Sequence, residues 1–322
     1  MAQAKAAQIT QRKKDRQYYM RKYKEQLTLQ ILALICMVFL LIFNYIPMFG
    51  ILMAFNNFKP KYGLMGFFTS PWVGLKWFNE LFSDPAFLPL LGNTVGLSAL
   101  RILFTFPTPI LFALALNEVG NMGIKRVVQT VSYLPHFISW VVTQGILMAM
   151  LNMQTGVFQQ AMINFGWIDS AQPIMTSAKY FWGMYIVTDI WKETGWSAII
   201  FLAAVTGVDP TLYEAAVVDG ASRMQRIWHI TLPSIKGTIS IMLIMSLGSL
   251  IGGGLFEPCY LLYNTLNASK SEVLQTYTLK MGITNGRYSY GTAVGLFQSI
   301  ISIILVLLSN TISKWISGIG LF

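Results

Sequence analysis

The stretch Asp209-Pro-Thr-Leu-Tyr-Glu-Ala-Ala-Val-Val-Asp-Gly220, continued by Ala221-Ser-Arg-Met-Gln-Arg-Ile-Trp-His-Ile-Thr-Leu-Pro233, decides how this chain is read. Asp209 is suited to N-cap a helix, and Pro210 fits its first turn, where the missing N–H has no intrahelical partner. Gly220 suits the position just past the helix end, where a left-handed conformation is easy only without a Cβ. Ser222 and Gln225 then have capping-box spacing for a second short helix. Pro233 stands where another long helix can begin. The expectation is two short helices joined by a tight turn. Ala215, Ala216 and Ala221 would let a partner backbone come close, and Leu212, Tyr213 and Val217 would supply apolar contact. By these features alone the segment is either a docking helix or an ordinary amphipathic surface turn.

What flanks the segment narrows its setting. Hydrophobic residues make up 54% of the 322 positions and charged residues 11%, against about 25% charged in a soluble domain; mean hydropathy is +0.55. A membrane crossing needs roughly 20 apolar residues. Six apolar runs stand out: Leu27–Phe55, Gly92–Leu116, Phe137–Leu151, Tyr180–Val205, Gly237–Phe256 and Gly291–Ile312. The third is the shortest, and Pro135 breaks or kinks its lead-in. The chain therefore reads as an all-α membrane protein with six transmembrane helices. Its expected divisions are a basic tail (1–26), a first span (27–55), a loop (56–91), a core (92–313) that contains the 206–236 loop, and a C-terminal end (314–322).

Charge sets the orientation. A net charge of +10 could suggest nucleic acid, but eight basic residues lie in the first 26, directly before an apolar run, where positive charge holds a segment in the cytoplasm. With both termini inside, the cytoplasmic segments carry 14 of the 23 Lys and Arg residues. The first run is too long for a signal-peptide core. Cys36 and Cys259, the only cysteines, have neither spacing nor context for a metal site and read as membrane-packed thiols.

No Gly-x-x-x-x-Gly-Lys-Ser/Thr loop is present to cradle nucleotide phosphates, and no His-Glu-x-x-His or Gly-x-Ser-x-Gly supports catalysis. His136 and His229 read as structural. Intramembrane polar groups are the remaining candidates, because they are costly in lipid and face protein or water. Asp189, Lys192 and Glu193 share a helical face by spacings of three and four, with Trp191 and Trp196 beside them. They either line a solute pathway or form a self-neutralising ion cluster that packs helices. Glu257, Tyr260 and Gln298 are further pathway candidates; Arg101 could meet an acidic substrate, but reads better as one half of a buried ion pair. Gly248/Gly252 and Gly291/Gly295 have the spacing of close helix packing.

Glu214-Ala-Ala, Asp219-Gly220-Ala221 and Ile230-x-Leu232-Pro233 resemble the EAA loop of binding-protein-dependent ABC importer permeases, the MetI-like (type I) class. Lys76-Trp-Phe-Asn-Glu-Leu-Phe-Ser-Asp-Pro85 with Asn93-Thr94, and Tyr133-Leu-Pro135, are similar to segments of the carbohydrate-uptake (MalF/MalG-like) group. Asn44-Tyr-Ile-Pro-Met-Phe-Gly50, Ile190-Trp-Lys-Glu-Thr-Gly-Trp196, Phe256-Glu257 and Tyr288-Ser-Tyr-Gly-Thr-Ala-Val-Gly-Leu-Phe297 look closest to the branch of LplB-type and alginate-importer permeases. The Gly-Gly-Pro common after the fifth span of sugar permeases is absent; Leu262-Tyr263-Asn264 stands near its place.

The resemblance implies a permease subunit of the bacterial inner membrane that takes up oligosaccharides by alternating access. An acidic cargo such as an alginate oligosaccharide is suggested by the branch, with a neutral one open. The implied coupling residues are Leu212, Glu214, Ala215, Ala216, Asp219, Gly220, Ala221, Ile230, Leu232 and Pro233. The implied partners are a second, related permease, two cytoplasmic ATPase subunits that use ATP and Mg2+, and an extracytoplasmic solute-binding protein. This chain itself would bind no cofactor. The rivals are an ion-gradient-driven transporter, which calls for inverted repeats the sequence does not display, and a membrane scaffold, which leaves the polar residues of the fourth span unexplained.

Overall fold

The computed structural model describes residues 26–249, 253–318 and 320. The basic tail lies outside the described residues, apart from Gln26. Among the described residues the fold is helical throughout, with a single antiparallel bridge between Asn56 and Trp72. The main helices are α1 (Gln26–Phe55), α2 (Lys76–Ser83), α3 (Phe87–Asn117), α4 (Met122–Phe137), α5 (Trp140–Leu151), α6 (Val157–Asn164), α7 (Ala178–Thr206), α8 (Pro210–Val218), α9 (Arg223–Ser249), α10 (Phe256–Leu261), α11 (Leu274–Leu279) and α12 (Tyr288–Ser317). Four of these, α1, α3, α9 and α12, are each long and apolar enough to cross a membrane. Two bent pairs, α4/α5 at 103° and α7/α8 at 68°, bring the number to six if each is one span.

The helix ends differ from the sequence expectation where backbone chemistry intervenes. The third apolar run is a 12-residue helix, α5, about 18 Å long at 1.5 Å per residue. The break before it falls at Ile138–Ser139 rather than at Pro135; both residues are extended, and Ser139 caps α5 by accepting from the Val142 N–H. Pro233 does not start the fifth span, and no separate second short helix exists: α9 runs unbroken from Arg223 to Ser249. The proline is tolerated because the preceding turn, Ile227–Thr231, widens to π geometry, so that the Leu232 N–H bonds to the Ile227 carbonyl. Wide turns Leu41–Tyr45 and Arg101–Thr105 likewise precede Pro47 and Pro107. In each case the carbonyl that the proline ring would strike lies inside the widened turn.

α7 is the central element. Its first half packs on α3, α10 and Val273 through Leu97, Phe181, Met184, Tyr185, Leu255 and Cys259. Its second half packs on α3 and α9 through Ile110, Ala113, Ala198, Phe201, Val205 and Ile235. A third cluster, with Leu81, Phe87, Leu274, Tyr277, Tyr290 and Val294, joins α2 and α3 to α11 and α12. Glycine brings backbones together at two places. A Cβ on Gly195 of α7 would stand 2.0 Å from the Ser132 carbonyl oxygen of α4, and one on Gly291 of α12 would stand 2.5 Å from the Gly282 Cα. No part of α1 in its membrane window is buried, which suits a span facing lipid, where exposed Leu, Ile and Phe are at no disadvantage.

Candidate functional site

Two faces follow from this architecture. α3 begins and α7 begins on one face, where both bond to the 269–272 segment: Asn93 donates to the Ser269 and Glu272 carbonyls, and the Trp182 indole donates to the Lys270 carbonyl at 2.9 Å. α7 ends on the other, where α8 projects.

α8 forms as its capping residues dictate. The Asp209 carboxylate accepts from the Thr211 N–H at 2.9 Å. That bond and a contact with the Thr211 hydroxyl hold its pKa below the usual value, against a weaker desolvation effect. At the far end Gly220 has φ +77°, and the Ala221 N–H reaches back to the Ala216 carbonyl at 2.8 Å, satisfying a carbonyl the helix leaves open. Ser222 and Gln225 then exchange side-chain-to-backbone bonds in a capping box. α8 has no buried residue. Leu212 and Val217 are exposed, and Val218 is 88% exposed. Glu214, Ala215, Asp219 and Gly220 also face outward, whereas Ala216 and Ala221 are half-buried. Ile230, Leu232 and Pro233 lie on the base of α9 instead. The tie between the two elements is a hydrogen bond of 2.9 Å between the hydroxyls of Tyr213 and the buried Thr231.

The intramembrane candidates divide. Asp189 is grasped by Arg101, with Nε to Oδ2 at 2.8 Å and Nη2 to Oδ1 at 3.1 Å, while Arg101 Nη1 reaches the Gly254 carbonyl. Lys192 is buried and donates to the His136 carbonyl at 2.9 Å; its closest carboxylate is that of Glu193 at 3.7 Å. Glu193 meets His136 Nδ1 at 2.9 Å, and the His136 ring stacks on Trp196 with centroids 4.6 Å apart. Asp189, Lys192 and Glu193 thus do not close into the single cluster that their spacing suggests. Asp189 ties α7 to α3, while Lys192, Glu193 and Trp196 tie α7 to the bend between α4 and α5.

Trp191 points elsewhere, into a cavity of about 710 Å³ between α5, α6 and α7, whose walls are mostly apolar and include Leu147, Met150, Met184 and Tyr180. Glu257 is exposed on α10. Tyr260 lines a smaller recess with Tyr263, Glu272 and Lys280. Gln298 is buried on α12. Sequence reasoning missed the contacts of Asp84, whose carboxylate accepts from the hydroxyls of Tyr277 at 2.5 Å and Tyr290 at 3.1 Å. It also missed the ion pair of Arg287 with Glu80. Asp84 lies within a quoted motif, but nothing near it in sequence names its partners. Among the described residues no group of His, Cys, Asp and Glu is arranged to hold a metal ion.

A bundle of apolar helices with buried ion pairs inside it, and a capped helix standing exposed at one end, defines a membrane-embedded transport component. Residues 105–319 match the family of binding-protein-dependent transport system inner membrane components, and the chain belongs to that family. It is a permease subunit of the inner membrane, not an enzyme in its own right. Protein LplB of Bacillus subtilis (strain 168) is 43% identical over 304 residues, 94% of each chain. The polygalacturonan/rhamnogalacturonan transport system permease protein YteP of the same organism is 41% identical over 97% of this chain and 95% of its own. Among solved structures, a chain of a bacterial ABC transporter involved in the import of the acidic polysaccharide alginate superposes with a TM-score of 0.83 at 37% identity, covering 92% of this chain and 98% of that one. A chain of the alginate transporter in complex with alginate pentasaccharide-bound periplasmic protein gives 0.84 at 37% identity, covering 94% and 99%.

Proposed function

We propose that this permease imports oligosaccharides released from an acidic polysaccharide, powered by ATP hydrolysed on partner subunits. The observation that carries the energy coupling is α8: a helix capped at both ends that leaves Leu212, Val217 and Val218 exposed, and which is tied to a spanning helix by Tyr213 and Thr231. A connecting loop needs neither the caps nor the apolar face. A cleft in a cytoplasmic ATPase would cover that face, with Glu214 and Gly220 as the leading residues. Motion of the ATPases, which would hold ATP and Mg2+, would then pass through α8 into α9. In this reading both termini are cytoplasmic, a second and distinct permease completes the pathway, and a solute-binding protein delivers cargo to the opposite face. By linkage, cargo-loaded binding protein alters nucleotide affinity as well.

The acidic class of cargo is supported by the relatives, two of which are named for alginate import and one for polygalacturonan/rhamnogalacturonan transport. The test is ATP-dependent uptake in proteoliposomes that contain the whole complex and its binding protein. Glu214→Lys and Gly220→Pro are each expected to abolish uptake while leaving membrane insertion intact. Undiminished uptake by either variant would sink the coupling role, and a wild-type complex driven by an ion gradient without ATP would sink the reading altogether.

A further inference from the structure

The recess beside α10 brings two tyrosines and an ion pair to one place. It has a volume of about 190 Å³ and is lined by Tyr260, Tyr263, Glu272 and Lys280 together with Thr276, Leu279 and Thr284. At ~30 Å³ per water it has room for about six, the scale of one sugar ring rather than a chain of them. Both tyrosines are exposed, Tyr260 at 53% and Tyr263 at 40%, and Tyr260 is held in place by stacking on Phe256. Lys280 Nζ donates to Glu272 Oε1 at 2.7 Å, with the carboxylate end largely covered and the ammonium end half exposed. Glu272 is itself anchored, since its backbone carbonyl accepts from Asn93 of α3.

The chemistry of this group is specific. An ammonium has three donors, and Glu272 takes one, leaving two for an incoming anion. The hydrogen bond to Glu272, which outweighs partial burial, raises the Lys280 pKa above its ordinary value. Glu272 retains acceptor capacity for hydroxyl groups. Tyrosine faces suit the apolar side of a pyranose, and their hydroxyls its polar rim. The recess also lies on the face opposite α8, where a soluble carrier would release its cargo: Glu272 is bonded to the start of α3, and the neighbouring Tyr277 to Asp84.

We propose that this recess is an entry subsite for one carboxylated sugar unit, with Tyr260 and Tyr263 against the ring, Glu272 accepting from its hydroxyls and Lys280 pairing with its carboxylate. The proposal rests on the importer reading and adds to it the residues that distinguish an acidic from a neutral glycan at the mouth of the permease.

The test is uptake by the complete importer in proteoliposomes, comparing a defined uronate oligosaccharide with its carboxyl-reduced analogue of equal length. Both are supplied at concentrations that load the binding protein equally. Lys280→Gln is expected to lower uptake of the acid about tenfold, the scale of one charge-assisted hydrogen bond, and to leave the reduced analogue within about twofold. Lys280→Arg should retain the preference. Tyr263→Ala should lower uptake of both glycans, and Tyr263→Phe, which keeps the ring, should restore most of it. Equal losses for the two glycans in Lys280→Gln would reduce the residue to a structural role and overturn the proposal, as would no loss in either Lys280→Gln or Tyr263→Ala. A wild-type complex that moves only the neutral analogue overturns the carboxylate assignment alone. One that moves neither glycan overturns the importer reading beneath it.

Discussion

Arg101 and Asp189 join α3 to α7 through two parallel hydrogen bonds, 2.8 and 3.1 Å long, with the carboxylate almost wholly buried. Both carboxylate oxygens are occupied by one guanidinium, so Asp189 is committed to a helix–helix contact rather than to passing solute. Breaking such a pair leaves an uncompensated charge and costs about 3–5 kcal/mol, whereas replacing both partners by apolar groups can be neutral. Arg101→Met and Asp189→Leu should therefore each lower the melting temperature of the purified complex in detergent markedly. The double variant should recover much of the loss. A double variant as unstable as the worse single one would show that the pair is not what the singles disrupt.

Gly195 and Gly183 lie on the same helix and offer a controlled comparison. A Cβ at Gly195 would overlap the Ser132 carbonyl, which is backbone and cannot swing away, while at Gly183 nothing lies within 4 Å. Gly195→Ala should force α4 off α7 and reduce the yield of folded, membrane-inserted protein, at a cost of about 1–3 kcal/mol for overpacking. Gly183→Ala should be neutral or slightly stabilising in the same expression and melting assays, since alanine is the better helix former.

These contacts mark how far the sequence could be read. The caps of α8 and of the start of α9 were legible because capping is decided within about four residues: Asp209, Pro210, Gly220, Ser222 and Gln225 each act on near neighbours. The approximate places of the apolar runs were legible for the same local reason. Helix ends were not, because a widened turn absorbs Pro233 and carries α9 past it. The partners of the polar residues were hidden more deeply. Spacing pointed Asp189 towards Lys192 and Glu193, yet its partner is Arg101, 88 positions away. Lys192 is satisfied by a main-chain carbonyl, which carries no residue-type signal at all. Tyr260 was singled out, but Tyr263, Glu272 and Lys280 were not, since only the fold brings them to one recess.

Asp84 introduces a pH dependence outside the spans. Burial tends to raise its pKa, but the hydroxyls of Tyr277 and Tyr290, together with the Ala86 N–H, outweigh that effect and hold it below the ordinary value. A depressed carboxyl stabilises the fold at pH above its unfolded value of about 3.9, and that contribution is lost as pH falls through the lower, folded value. Wild type should therefore melt above Asp84→Asn at pH 7, and the gap should narrow towards pH 3. A gap that stays constant or widens on acidification would mean that the carboxylate charge does not hold α2 to α11 and α12.

Tyr213 gives the sharpest test of how α8 is joined to the membrane. Its hydroxyl and that of Thr231 meet at 2.9 Å, and Thr231 lies inside the widened turn ahead of Pro233. Loss of a hydrogen bond of this kind costs about 1 kcal/mol, too little to unfold the chain but enough to loosen the angle between α8 and α9. Tyr213→Phe, which keeps the ring, should therefore assemble normally yet move fewer oligosaccharides per ATP hydrolysed. Thr231→Val, which also gives up a 3.4 Å bond to the Arg226 carbonyl, should lower the ratio at least as far, and the two together should be no worse than Thr231→Val alone, because Tyr213→Phe then has no shared bond left to remove. The measurement is the ratio of uptake to phosphate release in the reconstituted complex. An unchanged ratio in both single variants would remove the Tyr213–Thr231 bond from the coupling path, and additive losses would show that the two hydroxyls act separately.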